Sequence, residues 1–169
     1  MLDSINRLDT ETLSKGLHRC CASERWVEGM VQALPFTSVE HLQQVAVEVW
    51  QGLETTDYLE AFQGHPMIGA NLDALRQKFT HTSTWSEGEQ AGVQQASEET
   101  LLALQQANIA YLERFGYIFI VCATGKSADE MLELLQQRLH NEPDLEIQIA
   151  AGEQQKITII RLHKWLSDL

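Results

Sequence analysis

The chain has 169 residues, 44% of them hydrophobic and 21% charged, which is enough apolar material for one folded domain and argues against disorder. Its 24 acidic and 12 basic residues give a net charge of −12, so no basic footprint exists for nucleic acid or an anionic membrane surface. The longest apolar run, Tyr117 to Ala123, is far shorter than the roughly 20 residues of a membrane helix.

Met1-Leu2-Asp3-Ser4 shows no basic region followed by an apolar stretch, and Ser167-Asp168-Leu169 is not the Ser-Lys-Leu address. A cytoplasmic protein is expected. The cysteines Cys20, Cys21 and Cys122 are odd in number and partly adjacent, which gives neither a disulfide framework nor paired zinc spacing. No metal is expected. An anionic ligand would require cations gathered locally against the acidic field of the whole chain.

Helix-period patterns dominate from Trp26 onward. Trp26, Met30, Val31 and Leu34 recur at three- and four-residue steps and are closed by Pro35. Ser38 opens an amphipathic segment carrying Leu42, Val45, Ala46, Val49 and Leu53 on one face. Asp57 to Phe62 is a shorter helical piece ending at Gly64. Pro66 then suits a first helical position, where its missing N–H costs little, and Ala70 to Phe79 reads as helix. Ser86 starts a long pattern through Val93, Thr100, Leu101, Leu104, Asn108 and Tyr111, with Gly116 as its cap. Ser127 opens a helix through Met131, Leu134, Leu135 and Arg138 that ends at Asn141. Pro143 begins the last helix, which runs to about Trp165 or Leu166. Tyr117 to Ala123 has strand-like composition but no partner strand, and a buried helix start fits it equally well. The expected fold is all-α, a single-domain multi-helix bundle over residues 1–169.

Three features bear on chemistry. His65, before Pro66, is pushed out of α geometry and held at a helix entrance, where a titratable ring can face a cleft. The same dipeptide also serves as a plain helix-start junction. Ser86-Glu87-Gly88-Glu89 has the Ser-x-x-Glu form of a capping box, as does Ser127 with Glu130, and Gln90 follows it. A capped helix start also offers N–H groups to an anion and holds its carboxylate rigidly, so capping and catalysis are compatible. Arg161 shares a stripe of the last helix with Ile147, Ala150, Ala151, Gln154 and Thr158. An arginine there either meets an anion or lays its stem over apolar surface.

In this order the segments Gly64-His65-Pro66-Met67-Ile68-Gly69, Ser86 to Gly92 and Phe115 to Ala123 resemble the signature of the OHCU decarboxylases of urate breakdown. Arg25-Trp26-Val27 with Pro35-Phe36 is similar to that family's N-terminal helices. Gly125-Lys126-Ser127, Asn141, Glu153, Ile157-Thr158 and Arg161-Leu162 extend the likeness from about Arg7 to Trp165. Methionine at position 67 departs from relatives that carry a charged or different residue after His-Pro.

The resemblance implies an all-helical, cofactor-free carboxy-lyase. Its substrate is 2-oxo-4-hydroxy-4-carboxy-5-ureidoimidazoline, an anionic ureide that loses CO2 to give (S)-allantoin. His65 is the implied proton donor, Glu89 the group that orients ureido or ring N–H groups, and Arg161 the holder of anionic oxygen. Pro66, Ser86, Glu87, Gly88 and Gln90, with the backbone of Phe119, Ile120, Val121, Cys122 and Ala123, are the implied substrate-binding residues. The resemblance leaves room for a homodimer through a helical face such as that around Trp26. Two competing readings are a non-catalytic helical module that binds a ureide or purine catabolite, and an acidic interaction protein with an exposed apolar patch. Replacing His65 separates the first of these from an enzyme.

Overall fold

The structure, a computed structural model, describes residues 2–80 and 96–169. Nine helices form among them, and no strand does. They are α1 (Leu2–Asn6), α2 (Thr10–Cys20), α3 (Glu24–Gln32), α4 (Val39–Gln51), α5 (Thr55–Gln63), α6 (Leu72–Thr80), α7 (Glu98–Phe115), α8 (Ala128–Arg138) and α9 (Pro143–Asp168). None of the described helices is long and apolar enough to cross a membrane.

Local chemistry sets their ends. Asp9, Ser23, Ser38, Ser97 and Ser127 each accept a backbone N–H from the first turn that follows, satisfying donors that have no partner inside the helix. Ser127 and Glu130 form the expected capping box, with Ser127 N–H donating to Glu130 at 2.7 Å and Glu130 N–H to Ser127 Oγ at 3.2 Å. Gly116 ends α7 at φ +79°, a left-handed cap that glycine adopts without a Cβ clash.

Four expectations need correction. The pattern from Ser86 is not one continuous helix, because Ala96 and Ser97 are non-helical and Ser97 caps a fresh start at Glu98. Pro66 does not begin a helix. A turn with Gly69 at φ +89° follows it, and α6 starts only at Leu72, where Asn71 accepts the N–H of Asp73 at 2.8 Å. Tyr117 to Ala123 is neither strand nor helix start but irregular chain, with Phe119, Ile120 and Val121 buried by tertiary packing. Trp26 is fully buried and donates from Nε1 to Ala46 O at 3.1 Å, so its side chain belongs to the core and not to an outward face.

Contacts divide the chain into two units. The first comprises residues 1–65, 120–122 and 147–169, and the second 66–119 and 123–146. In the first, Leu13, Leu17, Met30, Leu42, Leu162 and Leu166 make an apolar core. Trp50 Nε1 donates to Ala151 O at 3.0 Å, tying α4 to α9. Gly16 faces Trp165 so closely that a Cβ there would lie 2.0 Å from the indole Cζ2. Asn6 clips the chain after α3 with paired bonds to Phe36, Nδ2 to O at 2.8 Å and N to Oδ1 at 2.9 Å.

The second unit has a polar centre. Glu146 is fully buried and accepts from Arg138 Nε at 2.8 Å, from Asn141 Nδ2 at 2.7 Å and from the Tyr111 hydroxyl. Arg138 Nη2 closes the ion pair at 2.6 Å, and its guanidinium also lies 4.6 Å over the Phe119 ring. A buried charge of this kind is tolerated because it is paired and its other hydrogen-bonding positions are filled.

Candidate active site

The site lies within the first unit and is built from the end of α5 and one stripe of α9. The α5 helix stops at Gly64, where a Cβ would approach Ala22 Cβ to 2.7 Å. The segment joining α2 to α3 therefore presses against this corner, and only glycine fits. His65 follows with its N–H on Phe62 O at 3.1 Å, so its backbone is pinned while its ring stands half-buried.

The ring meets α9 at both nitrogens. Nε2 lies 2.6 Å from Gln154 Oε1, and Arg161 Nη2 lies 3.2 Å from Nδ1. A guanidinium has donors only, so Nδ1 offers its lone pair and the proton of the neutral ring sits on Nε2, donated to Gln154. Burial pulls the His65 pKa below the ordinary 6.5, and the Arg161 cation pushes it the same way. The hydrogen bond to Gln154 opposes them. At neutral pH the imidazole is an uncharged base with a defined tautomer.

Arg161 is held in turn. Its Nη1 donates to the carbonyls of Arg19 and Cys20, each at 3.4 Å, at the C-terminal end of α2. Among the described residues no carboxylate lies within ion-pair distance of it. Among these residues the half-buried guanidinium meets only carbonyls and an imidazole, a set of neutral partners that leaves it suited to receiving an anion. Beside it, burial pushes the thiols of Cys20 and Cys21 up to about 11, so both stay protonated and add no charge near neutrality.

The residue next to Gln154 moors the irregular segment 120–122. Glu153 Oε2 accepts the N–H of Cys122 at 2.7 Å, and Lys156 pairs with Glu153 Oε1 at 2.5 Å. The same turn of α9 thus supports the imidazole through Gln154 and the 120–122 segment through Glu153.

Of the residues expected from the sequence, His65, Arg161 and the chain from Ile120 to Cys122 fall in the first unit. Pro66, Phe119 and Ala123 belong to the second, where the Phe119 ring is spent on the core with Tyr111, their centroids 5.2 Å apart. Ser86, Glu87, Gly88, Glu89 and Gln90 lie outside the described residues. Sequence reasoning placed Gln154 and Thr158 on the Arg161 stripe but gave them no task. The signal was present in their spacing, because positions 154, 158 and 161 share one helix face.

Helices surround an imidazole and a guanidinium in direct contact, which places the chain among all-helical proteins with a polar site on one helix stripe. Residues 6–163 match the family described as OHCU decarboxylase, and the chain belongs to that family. It is 37% identical over 156 residues to the Uric acid degradation bifunctional protein TTL of Arabidopsis thaliana, covering 88% of this chain and 46% of that protein. It is 30% identical over 154 residues to the 2-oxo-4-hydroxy-4-carboxy-5-ureidoimidazoline decarboxylase of Amia calva, covering 90% and 84%. The chain thus spans less than half the length of the bifunctional relative. It also resembles a crystal structure of OHCU decarboxylase obtained in the presence of (S)-allantoin. The TM-score is 0.74 and the identity 32%, over 95% of this chain and 99% of that one.

Proposed function

We propose that this chain decarboxylates 2-oxo-4-hydroxy-4-carboxy-5-ureidoimidazoline to (S)-allantoin, without a cofactor and in the cytoplasm. The observation that carries the reading is the His65–Arg161 pair, a proton-transfer group and an anion-holding group in direct contact at 3.2 Å. Family membership supports the same substrate.

In this mechanism the substrate carboxylate or its developing enolate oxygen lies on the Arg161 guanidinium. As the bond to the carboxylate breaks, its electron pair moves into the adjacent ring C=N, and CO2 departs. Once the substrate anion draws Arg161 Nη2 off Nδ1, neutral His65 takes the 4-hydroxyl proton there and passes it to the ring carbon bearing the ureido group, which fixes one stereoisomer, while the ring nitrogen that received the electron pair takes a proton from solvent. The depressed pKa of His65 suits this order, since the ring begins as a base and, once protonated, gives up its proton more readily than an ordinary imidazolium. Glu89 is assigned the ureido and ring N–H groups, with Ser86 and Gln90 beside it.

The test generates the unstable substrate from urate with the two upstream enzymes and follows circular dichroism. Rapid growth of the (S)-allantoin signal is the expected result, and His65→Asn, which keeps hydrogen bonding but not titration, should slow it about 100-fold or more. Racemic product at the uncatalysed rate would leave only a ureide-binding module. Near-normal turnover by the variant would remove His65 from the chemistry.

A further inference from the structure

Gln154 and Thr158 form a chain behind the imidazole that has one consistent hydrogen-bonding direction. Gln154 is fully buried and Thr158 nearly so, positions where polar side chains are normally kept only if satisfied. The Thr158 hydroxyl donates its single proton to Gln154 O at 3.0 Å, the backbone carbonyl one turn earlier. Its lone pair then accepts from Gln154 Nε2 at 3.1 Å. With the amide nitrogen so engaged, the amide oxygen must point the other way, and it meets His65 Nε2 at 2.6 Å.

We infer that Gln154, locked by Thr158, is the positioning residue that holds the His65 proton on Nε2 and so presents Nδ1 as the nitrogen that exchanges a proton with substrate. Without that lock the amide can rotate and offer its NH2 group to Nε2. The ring proton would then move to Nδ1, against the Arg161 N–H that occupies that side. Donor would face donor, and the reacting lone pair would point away from the anion-holding group. The inference rests on the proposed decarboxylase reading for its consequence, but the tautomer itself is observable without turnover.

Among the described residues, the charged group facing the ring is Arg161 from α9. From the end of α2, Cys20 and Cys21 bring protonated thiols to Arg161, and Cys21 also contacts the Thr158 hydroxyl. The test is nitrogen-15 NMR of histidine-labelled protein across pH, paired with the dichroism assay. Wild type should show a protonated Nε2 and an unprotonated Nδ1. Gln154→Leu should lower the His65 titration further and cut kcat about 10- to 100-fold with little change in KM. Gln154→Glu keeps an acceptor and adds a negative charge, so it should hold the Nε2–H tautomer and move the acid limb of the rate profile to higher pH.

Thr158→Val removes the lock with little change in shape, and Thr158→Ser should restore wild-type titration and rate. This pair carries the test if the Gln154 variants fold poorly. A wild-type tautomer on Nδ1, or an unchanged His65 titration in both Gln154→Leu and Thr158→Val, overturns the inference. A confirmed tautomer with its predicted shifts, in a protein that does not accelerate decarboxylation, would instead sink the functional reading and leave the positioning role intact.

Discussion

Arg161→Gln tests the site where its electrostatics are most exposed. The guanidinium commits Nη1 to the carbonyls of Arg19 and Cys20 and turns Nη2 to His65. Nη1 is therefore structural, and Nη2, with a second N–H beyond the one aimed at His65, is the nitrogen that can meet a ligand. The expected loss is that of a single charge-assisted hydrogen bond and not of a bidentate clamp. A charge-assisted bond is worth about 1.5–3 kcal/mol, which corresponds to roughly 10- to 150-fold in kcat/KM.

The substitution has a second, separable effect. Arg161 is one of the two causes that hold the His65 pKa below 6.5, so removing its charge must let that pKa rise. The acid limb of the pH–rate profile should move upward while the maximum falls. Lysine at 161 restores charge but not the fork and should be intermediate in rate. Steady-state dichroism from pH 5 to 8, with His65 titrated in parallel by NMR, measures both. A loss smaller than about threefold, or an acid limb that stays in place, would refute the assignment of Arg161 to both tasks.

Three further outcomes follow from the same geometry. Glu146→Leu removes the buried carboxylate that pairs with Arg138 in the second unit and should cost about 3–5 kcal/mol in urea denaturation. Leucine at both 138 and 146 should recover much of that loss, since no charge is then left unpaired. Asn108 is buried, donates to Leu104 O at 2.9 Å, and leaves Oδ1 without a partner among the described residues. Asn108→Leu should therefore be neutral or raise Tm in a thermal scan, and a clear fall would show that Oδ1 is satisfied in solution. Because the unfolded chain takes up a proton on His65 more readily than the folded one, stability should rise with pH from the depressed folded value up to 6.5. His65→Asn should flatten that part of a Tm-against-pH series, and an unchanged slope would exclude His65 as its source.

The helices with strong caps and an unambiguous stripe were readable from the amino acids alone. Ser38, Ser127 with Glu130, and Gly116 punctuate the chain where expected. Elsewhere tertiary packing overrode local pattern. The run from Tyr117 to Ala123 is apolar because it is buried, and its backbone is partly satisfied by the side chain of Glu153, a partner 31 residues away. No short-range rule anticipates such a bond. The α1 and α2 helices were not read at all, although Asp9 before Thr12 and the buried Leu13 and Leu17 mark α2.

Within the site, His65 and Arg161 were legible as residue types that do chemistry. Gln154 was not, because a neutral amide on a buried stripe looks like packing until its two ends are traced. Its spacing to Thr158 and Arg161 becomes meaningful only when the imidazole is seen beside it.

The first unit is discontinuous in the chain, and this governs when the site can exist. His65 is separated by 89 residues from Gln154 and by 96 from Arg161. While the ribosome is still making residues 66–146, the early helices have emerged without the segment that completes their core. His65 is thus made early and lacks both of its ring partners until α9 arrives. A nascent chain cut short before Gln154 holds the imidazole without either of the side chains that meet its ring nitrogens.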